Sequence, residues 1–489
     1  MSRYFMGIDN GGTVCKVAVY DNKGTEIALA SRKIEMIYPA AGFTEKNMDE
    51  FWRANVEAVR EAVGSSGVDA SEIAAVAATG HGNGMFLVDS DGEAVGNGII
   101  STDSRAKSYV DRWYEDGTFE KINRKTLQSI WAAQPVALLR WFMDNRPEEL
   151  ARTRWVLMCK DYIRFKLTGV AAAEITDYSG TNLVNILTGE YDDGLLADFG
   201  ISGCRELLPP LKKSTDICGT ITPAVAALTG LAEGTPVVGG FFDIDACAIA
   251  TGLTGEEDLS VIAGTWSINQ FISRKPVGST ELFMTSLYGI PGYWLVSEAS
   301  PTSASNLEWF ISNLMDGTDY DEVNRLVESV APEDSDVIFF PFLFGSNAGD
   351  ELSSCFFGLH GWHGRQHMLR AVFEGVVFGH RLHIERLLKH RGPVRRIRIS
   401  GGASKSKIWV QMFADILQLP VEITEADELG TLGAAIGAAV GCGEYGSFED
   451  AASEMVRVSR TVEPDPEMKA LYDKRYNKFT RYLEAIRNC

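Results

Sequence analysis

A carboxylate follows an apolar run close to the middle of the chain. The residues Gly239-Gly240-Phe241-Phe242 predict a strand that ends at Asp243, and the small residues between Ala246 and Gly252 follow at once. A carboxylate held at a strand end, beside residues that allow close packing, is suited to act as a catalytic base. Asp245 lies two residues further on and suits the same task, and spacing alone does not separate the two.

A second carboxylate, Asp9, ends an apolar run near the amino terminus. It is followed by Asn10-Gly11-Gly12-Thr13 and, after two further residues, by Lys16. Glycines in such a turn let the backbone approach a phosphate group, and Asp9 can hold Mg²⁺ through water. The same residues also suit an ordinary hairpin turn. However, Gly264-Thr265 is a second turn of this kind, and two such turns facing each other across a cleft would suit the β- and γ-phosphates of ATP.

Two further glycine motifs lie near the carboxyl terminus. Gly401-Gly402-Ala403-Ser404 follows a predicted strand and precedes a predicted helix. Backbone N–H groups at such a junction can face an anion, and glycines let a flat ring pack against the chain. A plain strand-to-helix turn is the alternative. Residues 430–437 contain three glycines, and we interpret them as a helix that packs closely against a neighbour rather than as a direct binding site.

Three histidines at His360, His363 and His367 resemble part of a metal site. Glycines are interleaved with them, and no carboxylate or thiolate ligand lies nearby in the sequence. Zinc sites usually combine histidine with such ligands. We therefore expect these histidines to cap or pack a helix.

The composition excludes several classes of partner. Acidic residues outnumber basic ones by 66 to 46, which gives a formal net charge of −20, and no block of lysine and arginine is present. Such a chain would repel nucleic acid. No apolar run approaches the roughly 18 residues of a membrane span, so we expect no membrane partner. The 8 cysteines, from Cys15 to Cys489, are dispersed without a C-x-x-C pair, which is typical of a reduced, cytoplasmic protein.

The elements that would position these motifs form two similar series, one in each half. At 489 residues the chain is long enough for two cores, because single cores stop growing at about 250 to 300 residues. We take residues 1–252 and 253–489 as the two domains. In the first we predict a helix that begins after Asn47 and strands over residues 3–9, 14–20, 26–34 and 73–79.

A similar order of elements restarts at Leu259. In this second half we predict strands over residues 259–263, 267–273, 293–297, 337–341, 394–400 and 421–424. We predict helices over residues 306–314, 365–390 and 404–417, from Leu429 onward, and over 466–487, where the last helix is a structural brace. Strands that alternate with helices in both halves predict an α/β fold with a cleft between two domains.

Two long segments resemble the signatures of a known family, the FGGY carbohydrate kinases. Residues 354–359 (Ser-Cys-Phe-Phe-Gly-Leu), followed after a gap of seven residues by 367–374 (His-Met-Leu-Arg-Ala-Val-Phe-Glu), are similar to the second signature. Residues 135–145 resemble the first signature, except that Leu138 stands where the family usually has lysine. The resemblance covers essentially the whole chain.

The resemblance implies a fold and an activity. The fold would be two ribonuclease-H-like domains of the actin and hexokinase type, hinged around a nucleotide-binding cleft. The activity would be transfer of the γ-phosphoryl group of ATP to a hydroxyl of a small ketose. The family's catalytic aspartate is followed nine residues later by glycine, which selects Asp243 with Gly252 and leaves Asp245 a neighbour. Asp9 and Asp243 would hold Mg²⁺.

The other motifs receive roles from the same resemblance. The residues expected to bind the nucleotide are Gly11, Gly12, Thr13, Lys16, Gly264, Thr265, Gly401, Gly402 and Ala403. A polyol needs several fixed donors and acceptors. The residues expected to bind the sugar are His81, Gly82, Asn83, Asp103, Arg105 and Asp243.

Three segments indicate which sugar is the expected substrate. Residues 298–303 and 342–349 are most similar to L-xylulose kinases, and His81-Gly82-Asn83 stands where D-xylulose kinases typically have Gln-Met-His. L-xylulose, giving the 5-phosphate, is therefore the expected substrate, and 3-dehydro-L-gulonate, L-ribulose and erythritol are alternatives. Another alternative is a non-catalytic nucleotide switch, because actin-like folds also serve in filaments and chaperones. A homodimer is left open.

Overall fold

The structure is a computed structural model that describes residues 3–349 and 352–487. Each half of the chain is built around one mixed sheet that helices cover. No helix within these ranges is long and apolar enough to cross a membrane. The cysteines in these ranges are unpaired thiols, and Cys489 lies outside the described residues.

The first half contains short and long strands interspersed with helices. Its strands are β1 (Tyr4–Asn10), β2 (Val14–Asp21), β3 (Glu26–Lys33), β4 (Glu45–Lys46), β5 (Ile73–Gly80), β6 (Phe86–Val88), β7 (Gly98–Ile99), β8 (Trp155–Leu157), β9 (Ala173–Glu174), β10 (Val184–Asn185), β11 (Glu190–Tyr191), β12 (Leu211–Lys212), β13 (Ile217–Thr220), β14 (Pro236–Val238) and β15 (Phe241–Phe242). Its helices are α1 (Met48–Ser66), α2 (Lys107–Glu115), α3 (Thr118–Thr126), α4 (Pro135–Asn145), α5 (Pro147–Arg152), α6 (Cys159–Thr168), α7 (Ile175–Tyr178), α8 (Asp193–Asp198), α9 (Pro223–Thr229) and α10 (Asp243–Ala250).

The second half has fewer and longer elements. Its strands are β16 (Asp258–Ala263), β17 (Ser267–Ser273), β18 (Met284–Leu287), β19 (Trp294–Ser300), β20 (Ile338–Phe340), β21 (Cys355–Phe357), β22 (Arg396–Ser400), β23 (Val421–Thr424) and β24 (Val458–Val462). Its helices are α11 (Ser305–Leu314), α12 (Tyr320–Glu328), α13 (Arg365–Leu388), α14 (Lys407–Leu417), α15 (Leu429–Gly441), α16 (Phe448–Met455) and α17 (Lys469–Arg487).

The first sheet has the strand order β13-β14-β5-β1-β2-β3, and β15 also pairs with β5. β1 runs parallel to β5 and antiparallel to β2. Helices cover both faces, so that Met6 and Ile8 of β1 pack in the same cluster as Phe51 of α1, whereas Phe5 packs with residues of α15. A strand buried on both faces requires a continuous apolar run, and the first residues of β1 provide one. The side chain of Asn47 accepts the N–H of Glu50, which caps α1 as predicted.

The second sheet has the order β18-β19-β17-β16-β22-β23-β24. Its central strands β16, β22 and β23 are parallel, and the strands towards both edges are antiparallel to their neighbours. α13 and α17 pack together beside this sheet, where Tyr476 and Phe479 are buried and Arg475 forms an ion pair with Glu374 at 2.5 Å. The last helix is therefore a brace for α13, as predicted.

α15 lies in the second half of the sequence but packs on the first sheet. An added Cβ at Gly433 would lie 2.0 Å from the carbonyl oxygen of Ala246, and one at Gly437 would lie 2.1 Å from the ring of Phe241. Such distances leave no room for any side chain. The small residues of 430–437 therefore serve close packing, as expected, and they seat α15 against α10 and β15.

The strand predicted over 239–242 is wrong in its extent, because β15 contains only Phe241 and Phe242. Gly240 has a φ of 82°, and an added Cβ there would lie 1.9 Å from the carbonyl oxygen of Ala78. The two glycines therefore form a bend that brings the chain back against β5. This bend shortens the strand and sets the position of Asp243 at the start of α10.

Candidate active site

The carboxyl ends of three neighbouring strands bring the two predicted carboxylates to one edge of the first sheet. β1 ends with Asp9 and Asn10, β5 ends at Gly80, and β15 ends immediately before Asp243. Both β1 and β15 run parallel to β5, and Asn10 and Phe242 each lie opposite Gly80. Asp9 and Asp243 therefore flank the end of β5.

Both carboxylates have raised pKa values. Burial is the largest cause, and it raises the pKa of Asp9 to about 6 and that of Asp243 well above its ordinary value. The negative charge of Asp9 raises the pKa of Asp243 further, while Lys16 lowers the pKa of Asp9. Two carboxylates that disfavour each other's charge suit a hard cation with oxygen ligands.

The cation site would contain few charged protein ligands. Within the described ranges, no group of three or more His, Cys, Asp or Glu side chains could hold a metal ion. Mg²⁺ commonly binds through one or two carboxylates, with water and substrate phosphates as its other ligands. Asp9 and Asp243 therefore fit Mg²⁺ that arrives with a nucleotide.

A buried ion network that the sequence did not reveal lies behind Asp243. Lys160 Nζ is 3.2 Å from Asp177 Oδ2 and 3.3 Å from carboxylate oxygens of Asp161 and Glu174. Burial raises the pKa of Asp177 to about 7. The charge of Asp177 raises the pKa of Asp243, and Lys160 lowers it. The network thus contributes to the electrostatic environment of the predicted base, and it joins Lys160 and Asp161 of α6 to Glu174 of β9 and Asp177 of α7.

The structure separates the two aspartates of α10. Asp245 follows Asp243 by two residues, which is about 200° around a helix. The Asp245 side chain is fully buried and accepts the backbone N–H of Gly289 at 3.3 Å. Burial raises the pKa of Asp245 well above its ordinary value. Asp243 is the less buried of the two and is the one at the strand edge with Asp9.

His81, Gly82 and Asn83 continue from β5 along the same edge. His81 and Asn83 are only 6 % and 3 % exposed, yet His81 Nε2 and Asn83 Oδ1 have no hydrogen-bond partner among the described residues. Burial and the charge of Lys46 lower the pKa of His81 to about 3, so that its ring is neutral. An added Cβ at Gly82 would lie 2.3 Å from the ring of Phe242. Buried polar atoms without partners are groups that the hydroxyls of a polyol could satisfy.

Asp103 and Arg105 use most of their polar atoms within the protein. The backbone N–H and Nε of Arg105 donate to Asp103 Oδ1 at 3.0 and 2.9 Å, and Nη2 donates to Glu45 Oε1 at 2.6 Å. Asp103 Oδ2 accepts the N–H of Thr44 at 2.7 Å. The guanidinium carbon lies 4.1 Å from the centroid of the Phe43 ring. A contact between this pair and a sugar stays a prediction. These hydrogen bonds do not favour it, because they already occupy most of the polar atoms of both residues.

The turn that follows Asp9 lies at the same edge of the first sheet. The N–H of Gly11 donates to the carbonyl oxygen of Val14 at 3.0 Å, and Gly12 and Thr13 lie further out, with Thr13 exposed. Lys16 points to the second half of the chain, where its Nζ is 2.6 Å from Glu428, the residue before α15. The turn is therefore open to a ligand, and Lys16 links it to α15.

The second predicted phosphate turn lies beside the Gly401 motif. β16 and β22 are parallel, with Ile262 opposite Ser400, so that both turns leave the same edge of the second sheet. An added Cβ at Gly401 would lie 2.8 Å from the nitrogen of Gly264. The carbonyl oxygen of Thr265 accepts the hydroxyl of a serine at the start of α11 at 3.0 Å. The structure thus brings together two motifs that are more than a hundred residues apart.

A cavity of about 490 Å³ lies next to this pair of turns. Its size is within the range of small-molecule sites. Gly402 lies on its wall and Ala403 is buried beneath, while Ser406 Oγ donates to Asn324 Oδ1 at 2.7 Å at its rim. The sequence identified Gly402 but not the walls supplied by α11, α12, α13 and α14. The residues that line the cavity are Ala304, Leu307, Glu308, Tyr320, Asp321, Asn324, Phe373, Gly402, Lys405, Ser406 and Trp409.

The three histidines cap and pack the start of α13, as expected. The N–H of His360 donates to His363 Nδ1 at 2.9 Å, and the N–H of Gly364 donates to His367 Nδ1 at 3.0 Å. The ring of Trp362 packs on His363 with centroids 3.7 Å apart. These hydrogen bonds use one ring nitrogen each of His363 and His367 to hold the backbone at the start of α13.

The two segments that resemble L-xylulose kinases meet in the structure. Asn347 Nδ2 donates to Glu298 Oε2 at 3.1 Å and to the carbonyl oxygen of Ala299 at 2.9 Å. Arg386 of α13 completes the contact by an ion pair with Glu298 at 3.0 Å. Leu138, in contrast, is fully buried in α4, so that this position makes apolar core contacts where the family usually has lysine.

Comparison with known proteins accounts for both halves of the chain. Residues 4–250 match the N-terminal domain of the FGGY family of carbohydrate kinases, and residues 259–442 match its C-terminal domain. The L-xylulose/3-keto-L-gulonate kinase of Escherichia coli (strain K12) is 39% identical over 99% of this chain and 98% of its own. A probable L-xylulose kinase of Pasteurella multocida is 38% identical over 99% of each chain.

The fold agrees with solved structures. The crystal structure of a xylulose kinase from Rhodospirillum rubrum matches 99% of both chains with a TM-score of 0.90 at 25% identity. The predicted fold of two ribonuclease-H-like domains is confirmed by this match and by the two mixed sheets. The chain therefore belongs to the FGGY family of carbohydrate kinases.

Proposed function

We propose that the protein transfers the γ-phosphoryl group of ATP to a hydroxyl of a small ketose, with L-xylulose as the expected neutral substrate. The observation that carries this proposal is the placement of Asp9 and Asp243 on either side of the end of β5. A sugar kinase needs a base beside a cation site. The unpartnered atoms of His81 and Asn83 at the same edge would accept the sugar.

Asp243 is the proposed general base. It orients the attacking hydroxyl and accepts its proton as the hydroxyl oxygen forms a bond to the γ-phosphorus. The bond between that phosphorus and the oxygen that bridges it to the β-phosphate breaks, and ADP leaves. Burial and the charge of Asp9 raise the pKa of Asp243 when no cation is bound, and both effects favour transfer of a proton to this carboxylate.

Asp9 and Asp243 would hold Mg²⁺, which when bound neutralises negative charge on the phosphates. A cation beside these two carboxylates would also lower their pKa values, because it opposes the burial and mutual repulsion that raise them. Gly11, Gly12 and Thr13 on one side, and Gly264 and Thr265 on the other, are proposed to surround the phosphates.

The cavity beside Gly402 is the proposed site of the adenosine. Its walls combine the rings of Phe373 and Trp409 with polar groups of Asn324 and Ser406. A flat heterocycle with several donors and acceptors suits a pocket of this composition. Because the cavity adjoins Gly401 and the Gly264 turn, a nucleotide seated there would direct its phosphates to that turn.

Two sugars are favoured by the relatives. Curated relatives at 39% and 38% identity are named L-xylulose/3-keto-L-gulonate kinase and probable L-xylulose kinase. The second sugar, 3-keto-L-gulonate, is the same compound as 3-dehydro-L-gulonate. The neutral ring of His81 and the side chain of Asn83 are proposed to select the sugar through its hydroxyls, since a misplaced hydroxyl would leave these buried groups unpaired.

The test is a panel of sugars incubated with Mg-ATP, in which ADP release is followed and the phosphorylated product is identified by mass. L-xylulose should give a higher kcat/KM than D-xylulose, glycerol or L-ribulose. Equal or better turnover of D-xylulose would contradict the choice of sugar but not the kinase activity. An ATPase that no sugar stimulates would instead favour a nucleotide switch.

A further inference from the structure

Lys46 is a fully buried lysine without a carboxylate partner. Its exposed fraction is 0 %, and among residues 3–349 and 352–487 no carboxylate oxygen forms an ion pair with its ammonium. The neighbouring Glu45 extends to the other face of β4, where it pairs with Arg105 at 2.6 Å. A buried charge normally requires an opposite charge, because desolvation disfavours the ion.

The contacts of Lys46 place its ammonium at the edge that carries the proposed sugar site. Lys46 Nζ lies 3.5 Å from the carbonyl oxygen of Gly11 and 4.5 Å from the centroid of the Phe51 ring. Phe51 packs on Phe86 with centroids 5.8 Å apart, and Phe86 packs on His81 at 6.1 Å. The ammonium therefore lies beside the end of β1 and shares an aromatic wall with His81.

The groups around this ammonium are neutral and incompletely paired. Among the residues that the structure describes, neither His81 Nε2 nor Asn10 Nδ2, at the end of β1, has a hydrogen-bond partner. The thiols of Cys15 and Cys159 are also close, and burial raises the pKa values of both, so that they are uncharged. The 3.5 Å contact with Gly11 is at the long limit for a hydrogen bond and supplies no negative charge. The site thus presents one cation and two open polar groups.

We propose that Lys46 is a specificity-determining residue that binds a carboxylate of the substrate, so that the protein prefers a keto-sugar acid to the neutral ketose. This inference rests on the proposed sugar kinase function. A carboxylate would give the buried ammonium the charge partner that it lacks, and its second oxygen could accept a hydrogen bond from Asn10.

The phosphates of ATP are a less suitable partner for Lys46. The residues proposed to surround them are Gly11, Gly12 and Thr13, of which Gly11 already donates its N–H to Val14 and Thr13 is exposed. Lys46 instead approaches the carbonyl of Gly11 from the buried side of the turn, together with His81. The ammonium is therefore buried, whereas the hydroxyl-bearing Thr13 of the same turn faces outward.

The test compares two sugars that differ in one group. 3-keto-L-gulonate has the frame of L-xylulose with a carboxylate on the carbon next to the ketone. For the wild-type protein and for Lys46→Met we would measure kcat/KM with each sugar. The kcat/KM for the acid divided by that for the neutral sugar should exceed one in the wild type. This ratio should fall by about 100-fold in Lys46→Met, because truncating one member of a buried charge pair has effects of this order.

The control is Lys107→Met, which removes an exposed lysine paired with Asp111 on the same half of the chain and should leave the ratio unchanged. If the ratio in Lys46→Met stays within about threefold of the wild-type ratio, with kcat/KM reduced alike for both sugars, the inference would be overturned. The proposed kinase function would not be affected by that result. If neither sugar is phosphorylated by the wild type, the proposed function itself fails and this inference fails with it. If Lys46→Met does not fold, the wild-type kinetics test the proposal alone. A wild-type kcat/KM for the acid that is no higher than that for L-xylulose would then overturn it.

Discussion

At the scale of single residues, the site depends on the direction in which each carboxylate points. Asp243 and Asp245 are equivalent by spacing, but the first lies at the strand edge and the second is buried against Gly289. The family pattern, in which glycine follows the catalytic aspartate after nine residues, selected Asp243 over Asp245 but gave no physical reason. Lys160 gave no signal in the sequence, because its partners Glu174 and Asp177 come from other elements and meet it only in the folded protein.

Gly402 offers a test of the nucleotide pocket at this scale. An added Cβ at Gly402 meets no atom within 4 Å, so Gly402→Val should fold normally while its side chain occupies part of the cavity. Because overpacking costs about 1–3 kcal/mol, the KM for ATP should rise by about 5- to 150-fold while the KM for the sugar changes little. Steady-state kinetics at varied ATP and a thermal melt would measure both effects.

The matched control for this change is Gly203→Val. Gly203 also lies in a 3₁₀ turn, and an added Cβ there also meets no atom within 4 Å. This variant should bind ATP like the wild type. A Gly402→Val protein with an unchanged KM for ATP would show that the cavity does not hold the nucleotide.

At the scale of elements, the best predicted parts are those whose sequence pattern is set by local burial. The long buried strands, the helices α13 and α17, and the start of α1 were predicted close to their observed positions. The short strands β13, β14, β18 and β24 were not predicted, although β20, β22 and β23 of similar length were, since a run of three to five residues often has too few positions to show a periodicity. The position of α15 on the first sheet could not be predicted either, because it depends on contacts with residues about two hundred positions earlier.

The glycine face of α15 provides the prediction at this scale. Gly433→Ala would place a methyl group 2.0 Å from the carbonyl oxygen of Ala246, so α15 must shift away from α10. We expect a loss of about 1–3 kcal/mol in the free energy of unfolding, measured by urea denaturation. Gly64→Ala is the control, because Gly64 is also helical but an added Cβ there meets no atom within 4 Å. That variant should gain about 0.5–1 kcal/mol, and equal stability of the two variants would contradict the packing account.

At the scale of the whole molecule, the proposed reaction divides its tasks between the two halves. Asp9 and Asp243 lie at the edge of the first sheet, and the cavity beside Gly402 lies at the edge of the second. The halves are tied together by α15 and by the ion pair of Lys16 with Glu428. The order of elements predicted two similar domains. It did not predict which strand ends are neighbours, because that depends on the strand order of each sheet.

The central claim is that Asp243 accepts the proton of the sugar hydroxyl, and kcat for sugar phosphorylation in Asp243→Asn tests it most directly. Asparagine keeps the shape of the side chain and removes its basicity, so kcat should fall by about 10² to 10⁴-fold while the protein stays folded and binds ATP. Asp245→Asn should keep most of the activity, because Asp245 is buried against Gly289 and an amide oxygen can still accept that N–H. A near wild-type kcat in Asp243→Asn, or loss of activity only in a folded Asp245→Asn, would contradict the claim.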